Sequence, residues 1–81
     1  MIPDYQTLMR PVLECAATGE AMISDVVELL AAKFALTGEE RDLLLPSGKQ
    51  TKFANRVNWA KSYLKQGGLV ENSGRGRFTI S

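Results

Sequence analysis

The chain has 81 residues, room for one domain whose modest core buries only about 60–65% of its unfolded surface. Its hydrophobic share of 44% is that of a globular protein, while one cysteine (Cys15) and no histidine exclude an internal disulfide, cysteine–histidine zinc sites and hydrolase triads built on a histidine base. The net charge of +1 conceals a split: residues 1–45 hold eight acids against three bases (−5), and residues 46–81 hold seven bases against Glu71 alone (+6).

Tyr5, Leu8, Met9, Val12, Leu13 and Ala16 recur at the spacing of one helical face, with Asp4 as the cap and Gly19 as the stop. Pro11 conflicts with that helix, because an interior proline costs about 3 kcal/mol. The spacing therefore predicts a kink there, or a helix that restarts with Pro11 in its first turn. Ala21-Met22-Ile23 is too short for a helix and reads as a short strand. Ser24 is placed to cap a second helix through Val26, Val27, Leu30, Ala31 and Phe34. Thr37 and Glu40 have capping-box spacing and predict a short helix through Leu43, Leu44 and Leu45, broken by Pro46-Ser47-Gly48.

The next helix is predicted from about Thr51 to Gln66. Phe53, Val57, Ala60 and Leu64 form its core stripe, expected to face Leu8, Val12, Val27, Leu30 and Phe34, and Gly67-Gly68 stops it. Leu69–Asn72 and Arg77–Ile80 read as strands of a hairpin turning at Ser73-Gly74-Arg75-Gly76. The fold class is therefore mostly α with a small β-hairpin (α+β), a winged helix-turn-helix with a short insert helix before the recognition helix. Residues 21–23 would add a third strand to the wing. The whole of residues 1–81 reads as one domain.

In a helix-turn-helix the later helix lies in the major groove of DNA. At about 100° per residue, its face opposite the core stripe carries Thr51, Asn55, Asn58, Ser62 and Lys65, with Lys61 at one edge. Asparagine can read adenine bidentately, and lysines and hydroxyls can reach phosphates. The DNA-binding set read from the sequence is thus Lys49, Lys52, Asn55, Asn58, Lys61, Ser62 and Lys65, with Arg75 and Arg77 on the wing, where a narrow groove concentrates negative potential. The competing reading of each is a solvated helix face or a soluble hairpin tip. Lys52, Arg56, Trp59 and Tyr63 form a stripe beside the core. A structural role is expected for it, with Arg56 stacked on Trp59 or Tyr63 or paired with an acid, and Trp59 half-buried against the first helix or the wing. Asp25, Glu28 and Asp42 read as solvated charges, so no catalytic, cofactor or metal site is assigned. No apolar run reaches the ~18 residues of a membrane span, and the start at Met1 has no secretory pattern, so a cytoplasmic setting is expected.

Leu45-Pro46-Ser47-Gly48-Lys49-Gln50, followed by Asn55-Arg56-Val57-x-Trp59-Ala60-x-x-Tyr63-Leu64-Lys65-x-x-Gly68-Leu69, resembles the N-terminal domain of the Mrr-type restriction endonucleases. The opening Pro3-Asp4-Tyr5-x-x-Leu8-Met9-x-Pro11-Val12-Leu13 fits the same family, so the resemblance covers essentially the whole chain. It implies a winged-helix domain joined in the family to a C-terminal nuclease domain that cuts methylated DNA with a divalent metal. On that resemblance the chain is the DNA-recognition part, with its start at Met1 and Ser81 at the edge of a linker. The nuclease domain and its metal are missing from these 81 residues. Its partners would be duplex DNA, methylated or not, and the nuclease domain. A protein-interaction, dimerisation or regulatory module acting on that nuclease is the alternative.

Overall fold

The computed structural model describes residues 2–81; Met1, the expected start, lies outside the described residues. The order is helix α1 (Tyr5–Ala17), strand β1 (Ala21–Met22), helices α2 (Ile23–Lys33), α3 (Gly38–Asp42) and α4 (Lys52–Gln66), then strands β2 (Val70–Gly74) and β3 (Arg77–Ile80). The strands make one antiparallel sheet in the order β1-β3-β2. The result is the expected helical α+β, winged-helix-like fold, with the hairpin as its wing and β1 as the third strand.

Each element starts and stops for a local reason. The Asp4 carboxylate accepts the Thr7 N–H at 2.8 Å, which satisfies one orphan donor of α1. The Thr7 N–H and the Thr7 side chain also hold the Asp4 carboxyl below its ordinary pKa. The α1 helix runs unbroken through Pro11, whose ring is buried in the core, so the apolar contact offsets the missing hydrogen bond and no restart occurs. Ser24 is not the cap of α2. The strand passes directly into the helix at Met22, and the Ile23 N–H donates to the Gly76 carbonyl at 2.8 Å, so the sheet does the capping. The other end of α2 closes with Ala35 at φ 53°, its N–H on Ala32 O and that of Leu36 on Ala31 O. Alanine resists this left-handed conformation, and burial of Leu36 just beyond it holds the turn in place.

The Thr37–Glu40 capping box forms, but α3 ends at Asp42. Leu43–Leu45 are extended rather than helical. Pro46 disfavours helix at Leu45, and Leu44 bridges Thr51 while Leu45 N–H donates to Gln50 O and Lys52 N–H to Leu43 O.

The core is one cluster contributed by every element except α3: Leu8, Val12 and Ala16 of α1, Val26, Leu30 and Ala31 of α2, Phe53, Val57, Ala60 and Leu64 of α4, Ala21, Val70 and Phe78 of the sheet, and Leu36. The stripe of α4 is buried as its spacing demands. On α2 the centre is held by Val26, Leu30 and Ala31, and the expected Val27 and Phe34 pack at its margin.

Leu64→Ala should cost about 2–5 kcal/mol, a large part of the stability of so small a domain. Urea denaturation measures it, and a loss under about half a kcal/mol would remove Leu64 from the core. Because the Asp4 pKa is lowered by folding, its contribution is complete above the ordinary value of 3.8 and disappears as pH falls through the lowered folded value. Melting curves of the protein and of Asp4→Asn should therefore approach one another on acidification, and a gap independent of pH would contradict the cap.

Candidate nucleic-acid interface

The α4 helix is presented by a clip of backbone hydrogen bonds. Pairing of Leu43–Leu45 with Gln50–Lys52 closes the intervening loop, where Gly48 turns at φ 71°. This loop carries Lys49 and delivers Thr51 as the N-cap, whose hydroxyl accepts the Ala54 N–H at 3.1 Å. The helix that follows holds Lys52, Arg56, Lys61 and Lys65 and not one acid. Its first turn would ordinarily attract acids to the positive end of the helix dipole; here it has Lys52 instead.

Asn55, Asn58 and Ser62 come together on the exposed side of α4, lining a shallow depression of about 220 Å³. The two carboxamides are held: Asn55 Nδ2 donates to Gln50 Oε1 at 3.4 Å, and Asn58 Nδ2 to the Ala54 carbonyl at 2.9 Å. Each holding bond uses one donor, leaving a second N–H and the carbonyl oxygen for other partners.

The fourth wall of that depression is Trp59. Trp59 is half-buried as expected, 50% exposed, and lies on the same side of α4 as the asparagines. It meets Tyr63, ring centroids 6.0 Å apart, and Tyr63 stacks on Tyr5 of α1 at 4.8 Å. Helical spacing carried this signal, since Trp59 lies only about 40° round the helix from Asn55. Arg56 makes no ring contact or ion pair among the described residues, although its charge helps lower the Asp4 pKa; its Nη1 donates to the carbonyls of Ile2 at 3.0 Å and Pro3 at 3.3 Å. Its role is structural, fastening the N-terminal segment to α4.

The bases differ in how free they are. Lys49, Lys65 and Arg75 are exposed, Lys52 is half-buried, and none of the four makes an ion pair among the described residues. Lys61 places its Nζ 5.6 Å from the centroid of the Phe78 ring, tying α4 to β3. Arg77 pairs with Glu20 at 3.5 Å. The wing turn itself is Arg75-Gly76, with Gly76 at φ 69° and a bulge between Asn72 and Gly74. The structure thus brings Asn55, Asn58 and Ser62 into one surface and leaves Arg75 on a separate projection.

A second recess, of about 570 Å³, lies between α1 and α2 and is lined by Pro11, Cys15, Met22, Val26 and Leu29 together with Glu14, Glu20 and Asp25. Burial pushes the Cys15 thiol pKa up, which leaves less of it as the nucleophilic thiolate. Among the described residues no three His, Cys, Asp or Glu side chains stand together as a metal site, and no helix is long and apolar enough to cross a membrane.

The family model described as Mrr N-terminal domain matches residues 5–81. The Type IV methyl-directed restriction enzyme EcoKMrr of Escherichia coli (strain K12) is 33% identical over 82 residues, an alignment that covers 99% of this chain and 27% of the relative. The chain thus spans about a quarter of that protein's length. No solved structure matches.

The Glu20–Arg77 pair competes with any phosphate for Arg77. Exposed pairs contribute about 0–1 kcal/mol, so if the wing meets DNA, Glu20→Gln should tighten duplex binding by no more than about fivefold, and less as salt rises. Weaker binding by a folded Glu20→Gln would show that Arg77 is not on the DNA side.

Proposed function

The chain belongs to the Mrr N-terminal domain family of restriction enzymes, and from that premise we propose that it is the DNA-recognition domain of a methyl-directed restriction enzyme. The observation that carries this reading is the exposed side of α4: acid-free, polar, bordered by lysines, with Asn55, Asn58 and Ser62 gathered in one depression. A helix lacking acids even in its first turn forgoes a favourable dipole interaction, and phosphates arriving at that end restore it. Asn55 and Asn58 meet base edges. Lys49, Lys52, Lys61 and Lys65 lie along phosphates, and Arg75 and Arg77 hold the wing to the backbone. Cleavage and its divalent metal belong to the remainder of the family's length. By itself the chain leaves DNA uncut, and magnesium-dependent cleavage lost on substituting one of its own acids would refute this division.

The rival reading, a module that docks on protein, draws on the recess between α1 and α2, where Leu29 is 59% exposed beside Met22. It requires no affinity for DNA.

Salt dependence separates them. Each neutralised phosphate contributes about −0.9 to the slope of log affinity against log salt. Alanine at Lys49, Lys52, Lys65 and Arg75, the four bases of the proposed DNA-binding set without an ion pair or ring contact among the described residues, should flatten that slope by roughly three to four units on every duplex. Asn55→Ala or Asn58→Ala should leave the slope almost unchanged and cost about 1–3 kcal/mol on the preferred sequence only. Anisotropy titrations at two salt concentrations measure both, and an unaltered slope in the quadruple variant would remove α4 and the wing from DNA.

A further inference from the structure

We propose that Trp59 is the apolar surface that meets the methyl group of a modified base in the major groove; this rests on the DNA-recognition reading above. Among the side chains that line the depression on α4, Asn55, Asn58 and Ser62 are polar and Trp59 alone is an apolar ring. A tryptophan left half in water usually finds a partner for its free face. Intramolecular packing accounts for one side only. Tyr63 meets the indole at 35° between planes, and Tyr63 is backed by Tyr5, stacked at 19°. The series Tyr5–Tyr63–Trp59 therefore supports the indole, which lines the polar trough and is half exposed. A ring so supported loses little conformational freedom on binding.

The chemistry of the ligand matches. A methyl on cytosine C5 takes the place of the thymine methyl in the major groove, and a methyl on adenine N6 projects into the same groove. Both are apolar groups on an otherwise polar edge, and hydrogen-bonding side chains gain nothing from them. An indole beside two carboxamides divides the work: Asn55 and Asn58 bond the edges, and Trp59 removes the methyl from water. Burying one such group raises affinity by about fourfold, and methyls on both strands multiply that.

The test uses the 81-residue chain and one randomised duplex pool made with ordinary bases, with 5-methylcytosine throughout, or with N6-methyladenine throughout. One of the methylated pools should bind about fourfold tighter than the unmodified pool, and which one it is identifies the base. Trp59→Asn should reduce that ratio to about one while keeping the salt slope, whatever its affinity for unmodified DNA becomes; Trp59→Phe should retain part of the preference. Trp59 is the sole tryptophan, so its emission should also differ between the methylated and unmodified complexes of the unaltered protein. Salt-dependent binding with no methyl preference, or a preference that survives in folded Trp59→Asn, overturns the assignment and leaves DNA recognition standing. If Trp59→Asn does not fold by circular dichroism, emission decides, and identical spectra in the two complexes overturn it. Failure to bind any pool overturns DNA recognition itself, and this assignment with it.

Discussion

Packing of α4 onto α1 is the contact on which the other elements depend. Phe53, Val57, Ala60 and Leu64 turn one side of α4 entirely into the core, opposite Leu8, Val12 and Ala16. With that side buried, the orientation of the opposite one follows, since a helix admits no rotation without exposing its stripe. The Arg56 bonds to the carbonyls of Ile2 and Pro3 and the Tyr5–Tyr63 stack reinforce the same seam at its edges. The polar depression is therefore carried on a rigid element, as the proposed recognition of base edges would require.

Backbone hydrogen bonds then join the parts that side-chain packing leaves loose. The Leu43–Leu45 and Gln50–Lys52 segments clip together and aim the loop bearing Lys49. The carbonyl of Gly76, at the tip of the wing, accepts from the first residue of α2. The wing tip is thus anchored to the helical body although few of its side chains are buried. Lys61 over Phe78 adds a contact between α4 and β3.

Electrostatics follow the same division. In the acidic half, Glu14 meets Lys33 and Glu28 meets Arg41, so two of its three bases are engaged locally. In the basic half, Glu20 pairs with Arg77, and Lys49, Lys52, Lys65 and Arg75 make no ion pair among the described residues. A protein close to neutral overall can in this way keep several bases free of intramolecular ion pairs, and the attraction of such charges acts within a Debye length of about 8–10 Å.

Local patterns in the sequence were sufficient for whatever depends on neighbours a few residues apart. The Asp4 cap, the Thr37–Glu40 box, the stripe on α4, the Gly67-Gly68 stop and the hairpin are all legible because periodicity and turn chemistry record burial and direction directly. Asn55, Asn58 and Ser62 were placed on one side of α4 by the same arithmetic. Tertiary structure decided wherever the partner is distant in the chain. Leu43–Leu45 left the helix because Gln50–Lys52 offered their backbone a pairing, and Ser24 lost the cap to Gly76, which lies more than fifty residues further on. Arg56 found backbone carbonyls 53 and 54 residues away rather than an aromatic ring, and Glu20 reached Arg77. Tyr63, beside Trp59 on α4, found its stacking partner in Tyr5 of another helix. The reason is common to all of these: a residue's pattern tells which side of its own element it occupies, and only the packed chain determines what stands opposite.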